Sequence, residues 1–153
     1  MKRIIAVLLV AASIFLVSCG GIPSARGIVK KTVSGTTEIS LYYGSANGND
    51  MAGFNIRRID GIASGAFAAP KINALPFIVY VFKLDGSVEV EEFKNTLREN
   101  CDLVWNICTS ADTIICENEG DVVLFAMLDM DEMTGLPKGT DEKIINNFHS
   151  ILK

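Results

Sequence analysis

The chain has 153 residues, with 14 basic and 18 acidic side chains and a formal net charge of −4. Nearly half of it, 49%, is hydrophobic, which suits one domain with a substantial core. An acidic chain with no basic run in its sequence is expected to be a poor nucleic-acid binder, because phosphate recognition rests on clustered lysine and arginine.

In chain order, Lys2 and Arg3 come first, and Ile4 to Val17 carry no charge. A positive start, an apolar stretch and the small residue Ser18 form a secretory signal peptide over residues 1–18. The apolar stretch falls short of the roughly 20 residues a membrane-spanning helix needs. The four residues Leu16-Val17-Ser18-Cys19 resemble the lipobox of bacterial lipoproteins. That resemblance implies cleavage before Cys19, diacylglycerol on its thiol, and a cell membrane as the partner of the anchor. Two acyl chains hold a protein on a bilayer without a spanning helix. Gly20 rather than Asp follows the cysteine, which implies the outer membrane where a cell has two. Loss of Lys2 and Arg3 leaves 12 basic against 18 acidic side chains, a net of −6.

Residues 19–36, CGGIPSARGIVKKTVSGT, are rich in Gly, Ser, Thr and Lys and are expected to be a flexible tether. A single domain is expected over 37–153. Thr37 to Tyr43 alternates Ile39, Leu41 and Tyr43 on one face, a strand pattern. Gly44 to Asp50 is turn chemistry around Asn47-Gly48. Met51 to Asp60, with Phe54 and Ile56 alternating, is expected to return as a second strand. Residues 61–76 are expected to be a loop. Phe77 to Leu84 is apolar on both faces and predicts a central strand.

Ser87 can cap a helix whose stripe is Val90, Phe93, Leu97, Cys101 and Val104. Thr113 to Cys116 and Asp121 to Leu128 predict a hairpin. Asp129 to Gly139 is a polar loop. A last helix follows Thr140 or Asp141, with the stripe Ile144, Ile145, Phe148, Ile151 and Leu152. The order β-β-β-α-β-β-α predicts an α+β, two-layer fold: a mostly antiparallel sheet with two helices on one face.

Three thiols, Cys101, Cys108 and Cys116, lie within sixteen residues, spaced C-x6-C-x7-C. Zinc modules bring two thiolates together through C-x2–4-C pairs, and thiol redox sites use C-x-x-C. Neither spacing is present. Two readings stay open: packed core thiols, or one disulfide joining Cys108 to Cys101 or to Cys116. The run Asp129 to Glu132 departs from a calcium loop, because Thr134 falls where glycine is needed and the closing Glu is missing. Neither a phosphate-loop sequence nor a G-x-S-x-G elbow occurs. The expectation is therefore no metal, no cofactor and no catalytic residue. Tyr42, Tyr43, Phe54 and Trp105 are the candidate binding surface, aromatic side chains being frequent anchors of partners.

A second resemblance rests on Trp105-Asn-Ile-Cys-Thr109, Ala111-Asp112, and Gly120 before Val122-Val-Leu-Phe125. This pattern is similar to short uncharacterised lipoproteins of Firmicutes-type bacteria. It implies an exported, anchored protein and no assigned activity. Two functions are carried forward. The first is a non-enzymatic envelope lipoprotein that binds a protein or another envelope component. The second is a small-molecule binding or sensing lipoprotein with a pocket around residues 42–76, lined by Tyr42, Tyr43, Phe54 and Phe67.

Overall fold

A computed structural model describes residues 22–72, 75–106, 110–130 and 136–153. Cys19 and Cys108 therefore lie outside the described residues, as do Asp131, Glu132 and Thr134. The elements are α1 (Ala25–Thr32), β1 (Leu41–Ser45), β2 (Ile62–Pro70), β3 (Phe77–Leu84), α2 (Val90–Asn100), β4 (Thr113–Glu119), β5 (Val122–Leu128) and α3 (Thr140–Leu152). The strands form one sheet in the order β1-β2-β3-β5-β4, and every pairing is antiparallel. The fold is α+β, as the patterning predicts.

β3 and β5 explain the layering. Their side chains alternate between two cores. Phe77, Val79 and Val81 of β3, with Val122, Leu124, Ala126 and Leu128 of β5, face one core. Ile78, Tyr80, Phe82 and Leu84, with Val123, Phe125 and Met127, face the other. Strands apolar on both faces need cover on both faces. The expected two layers become three, because the two helices expected on one face, α2 and α3, lie on opposite faces; α1 and α3 pack on the first core through Ile28, Val29, Ile144 and Phe148. Helix α2 covers the second core through Phe93 and Leu97, so it lies across the sheet from α3.

The tether expectation is corrected over residues 25–36, where the chain is structured and docked. Ser24 caps α1, its hydroxyl oxygen accepting from the Gly27 N–H at 3.2 Å. Ala25, Ile28, Val29 and Thr32 recur at helical spacing and are all buried. Lys30 and Lys31 sit in the last turn, where cations suit the helix dipole. Full burial of Ile28 and Val29 is favourable by about 1.5–3 kcal/mol for each side chain. After the helix, α3 grips the chain. Asn147 Nδ2 donates to the Thr32 and Ser34 carbonyls, and Thr140 Oγ1 donates to the Thr36 carbonyl.

Two further expectations change. Residues 61–76, expected as a loop, contain β2, which pairs with both β1 and β3. Met51 to Asp60, expected as a strand, is irregular and makes isolated bridges at Asn49–Arg58 and Phe54–Cys101. The hairpin is present with a longer first arm, Glu119 pairing Val122 across a Gly120-Asp121 turn. Gly120 there adopts φ 58°, which glycine does without penalty.

Candidate functional site

The second core builds the candidate site from beneath. Tyr80 and Phe82 stack at 5.4 Å between ring centroids. Phe54 lies over Tyr80 at 5.7 Å and over Phe125 at 5.3 Å. Phe67 of β2 touches Tyr80 at 5.7 Å and meets the edge of the Tyr42 ring at 5.5 Å. These rings run from the sheet interior to its β1 edge and fix where Tyr42 stands.

Two irregular segments lie over this row and hold each other. The Asn55 N–H donates to the Asn100 carbonyl, and the Asp102 N–H donates to the Gly53 carbonyl, both at 2.9 Å. The Asp102 carboxylate accepts from the Val104 N–H, turning the chain just before Trp105. Tyr80 reaches up from β3, and its hydroxyl donates to the Ala52 carbonyl at 2.8 Å. Burial, and secondarily the Tyr42 phenol, pushes the Tyr80 hydroxyl pKa well above its ordinary value. It therefore remains a donor across the neutral range.

Between these segments and the end of β2 lies an open cleft of about 610 Å³. Tyr42, Ala69, Pro70 and Lys71 form one wall, and Ala52, Gly53 and Trp105 form the other. Leu75, Phe77 and Ile78 also line it. Tyr42 is 46% exposed, and Ile72 and Val104, next in sequence to the lining residues Lys71 and Trp105, are 74% and 65% exposed. Exposed apolar side chains in segments that border a cleft are a recognition feature. Among the described residues, Lys71 is the one charged side chain of the lining. Two aromatic faces and one ammonium suit apolar contact with an anionic or carbonyl group beside it.

The structure separates the four aromatic candidates. Tyr42 and Trp105 share the cleft. Phe54 belongs to the ring row and does not line it. Tyr43 points to the other face of the sheet, where the Lys30 ammonium sits 5.4 Å from its ring centre. Adjacent strand residues face opposite ways, so Tyr42 and Tyr43 cannot share a site. Phe67 supports Tyr42 and lies outside the lining. Sequence reading missed Gly53 and Lys71. Lys71 follows β2 directly, so recognising that strand would have placed it at the sheet's end.

Cys101 and Cys116 carry free thiols. Cys101 Sγ donates to the Arg98 carbonyl at the end of α2, and burial raises its pKa. Cys116 lies under α2 with its sulfur 3.9 Å from the Lys94 carbonyl, and burial pushes its thiol up to about 11. Both side chains pack in the second core, away from the cleft lining. Among the described residues, no three His, Cys, Asp or Glu side chains gather to hold a metal ion. His149 faces Glu119, Nδ1 to Oε2 at 2.9 Å, and joins α3 to β4.

This geometry defines an α+β domain with an open, aromatic-walled cleft at one end of its sheet. Compared with family models, curated proteins and solved structures, the chain matches none. Among the described residues no helix is long and apolar enough to cross a membrane.

Proposed function

We propose that the protein is an exported envelope lipoprotein, anchored through diacylglycerol on Cys19, whose domain is a non-enzymatic module that binds a partner protein. The observation carrying the binding assignment is the open cleft, with Tyr42 and Trp105 in its lining and the exposed Ile72 and Val104 next in sequence to lining residues. Small-molecule sites enclose most of their ligand, whereas this cleft stands open. Exposed aromatic and aliphatic anchors around an open groove suit a protein surface better. The anchor rests on the order of charge, apolar stretch and lipobox in residues 1–19.

Two measurements test this reading. Mass spectrometry of the N-terminal peptide from native membranes should find Cys19 first and diacylated; an unmodified, internal Cys19 counts against the anchor. Crosslinking in intact cells, followed by purification, should capture a partner whose yield drops about tenfold in Trp105→Ala or Tyr42→Ala, the loss typical of a hot-spot side chain. Equal yields from these variants and the parent count against the cleft.

The cleft volume, about 610 Å³, also falls within the range of small-ligand sites, which favours a second reading as a small-molecule binder. Trp105 is the chain's one tryptophan and reports directly. A saturable emission shift on adding a defined metabolite, without a protein partner, would favour this second reading.

A further inference from the structure

The helical layer on the α1 side carries a charge opposite to that of the whole chain. Helices α1 and α3, with Lys153, hold five cations: Arg26, Lys30, Lys31, Lys143 and Lys153. They hold two acids, Asp141 and Glu142, so the layer is net positive by three within a chain that is net negative. Helix α1 has no acidic residue, and its Arg26, Lys30 and Lys31 are exposed and make no ion pair among the described residues. Across the sheet, Glu89 and α2 carry four acids against Lys94 and Arg98.

Position adds a second argument. Residues 25–36 are part of the domain, so little chain is left as a spacer. Cys19 and Ile22 are three residues apart, and three extended residues reach at most about 11 Å. Ile22 is 59% exposed, and its carbonyl lies 3.4 Å from Lys83 Nζ, near the end of β3. The cleft lies at the opposite end of β3, beside Phe77 and Ile78, and on the face opposite α1.

Resting on the Cys19 anchor proposed above, the geometry points to a docked orientation. The exposed Arg26-Lys30-Lys31 side of α1 lies against anionic lipid headgroups, and the Tyr42–Trp105 cleft faces away from the bilayer. Each cation near an anionic membrane adds to attraction that fades within a Debye length, about 10 Å at moderate salt. The short leash starts α1 close to the bilayer, where its cationic side can settle within that range. Neutral headgroups offer no such attraction, so the orientation depends on lipid charge.

The lipidated protein, reconstituted into vesicles and separated by flotation, tests this. Vesicles are phosphatidylcholine alone, or phosphatidylcholine with phosphatidylglycerol, and amine acylation of each lysine is read by mass spectrometry. On anionic vesicles, labelling of Lys30 and Lys31 should fall several-fold against neutral ones, while Lys71 at the cleft keeps its rate. About 1 M salt should restore labelling, because the Debye length shrinks to about 3 Å. Arg26→Glu, at an exposed position, should weaken the protection of both lysines. Equal labelling of Lys30 and Lys31 on both vesicle types, in protein that floats, overturns the orientation alone. Protection of Lys71 in their place also overturns it. Protein that fails to float with vesicles overturns the anchor and the orientation with it.

Discussion

The Tyr80 hydroxyl, rising from the central strand, is bonded to the Ala52 carbonyl in the wall of the cleft. One side chain thus links the most buried part of the sheet to the segment that shapes the candidate site. Tyr80→Phe would leave the carbonyl without this partner and should destabilise the domain by about 1–2 kcal/mol in urea unfolding. The pH dependence has a definite sign. The folded pKa is raised above the unfolded value near 10, so the contribution is complete below pH 10 and lost as pH rises toward the folded value. Stability should decline above pH 10 with a slope approaching 1.4 kcal/mol per pH unit, roughly one proton's worth, from this residue. Tyr80→Phe should remove that share of the slope. If its alkaline unfolding curve matches that of the parent, burial of the Tyr80 hydroxyl is not what makes the domain alkali-sensitive.

Helix α1 gives a sharper contrast. A residue in a solvated tether can be truncated without consequence, whereas Ile28 is fully buried between sheet and α3. Ile28→Ala should cost about 2–4 kcal/mol through lost transfer energy and a residual cavity. Lys31→Ala, on the exposed side of the same helix, should change stability by less than about 0.5 kcal/mol. A shared denaturation midpoint for the two variants would contradict the docking of α1.

Gly53 stands in the cleft wall at φ 80°, a conformation side-chain-bearing residues rarely adopt. An added Cβ would also overlap the Met127 Cε below it and come within 3.7 Å of the Trp105 ring. The methionine end can move, so backbone strain sets the larger part of the cost. Gly53→Ala should lose about 1–2 kcal/mol and shift Trp105 emission. Unchanged emission with unchanged stability would mean the wall tolerates the extra methyl group.

The two described thiols should react at different rates. Thiolate is the reactive form, and Cys116 is both buried and held neutral with a pKa near 11. Alkylation at pH 8 should modify Cys101 first, with Cys116 slower by at least about tenfold until denaturant is added. Comparable rates in the native protein would show that α2 does not seal the second core.

The legible parts of the fold were those with one dominant signal. Phe77 to Leu84 reads as a central strand because every position but Lys83 is apolar, on both faces. Phe93 and Leu97 of α2, and Ile144 and Phe148 of α3, declare buried stripes by spacing. The two large misses share one physical cause. The sequence IASGAFAAP lacks the β-branched run that marks a strand, so β2 was hidden, and only its pairing with β3 makes it one. Its small residues Ala66 and Ala68 lie buried in the same core as Ile28 and Val29 of α1. Larger residues there would have announced the strand and kept the helix away. With Ile28 and Val29 as its large apolar residues, α1 resembled a linker. The cleft was half legible: Tyr42 and Trp105 stand out as aromatics, but only the register of β1 on β2 tells Tyr42 from Tyr43.

That register has a mechanical side. Tyr43 sits beneath Lys30 on the helical side, while its neighbour Tyr42 forms part of the cleft wall. β1 is an edge strand, held by β2 alone. A tilt of this ribbon displaces both rings at once and in opposite senses, as a see-saw does. The Lys30 contact on the helical side and the Tyr42 side of the groove are therefore only one peptide bond apart along β1.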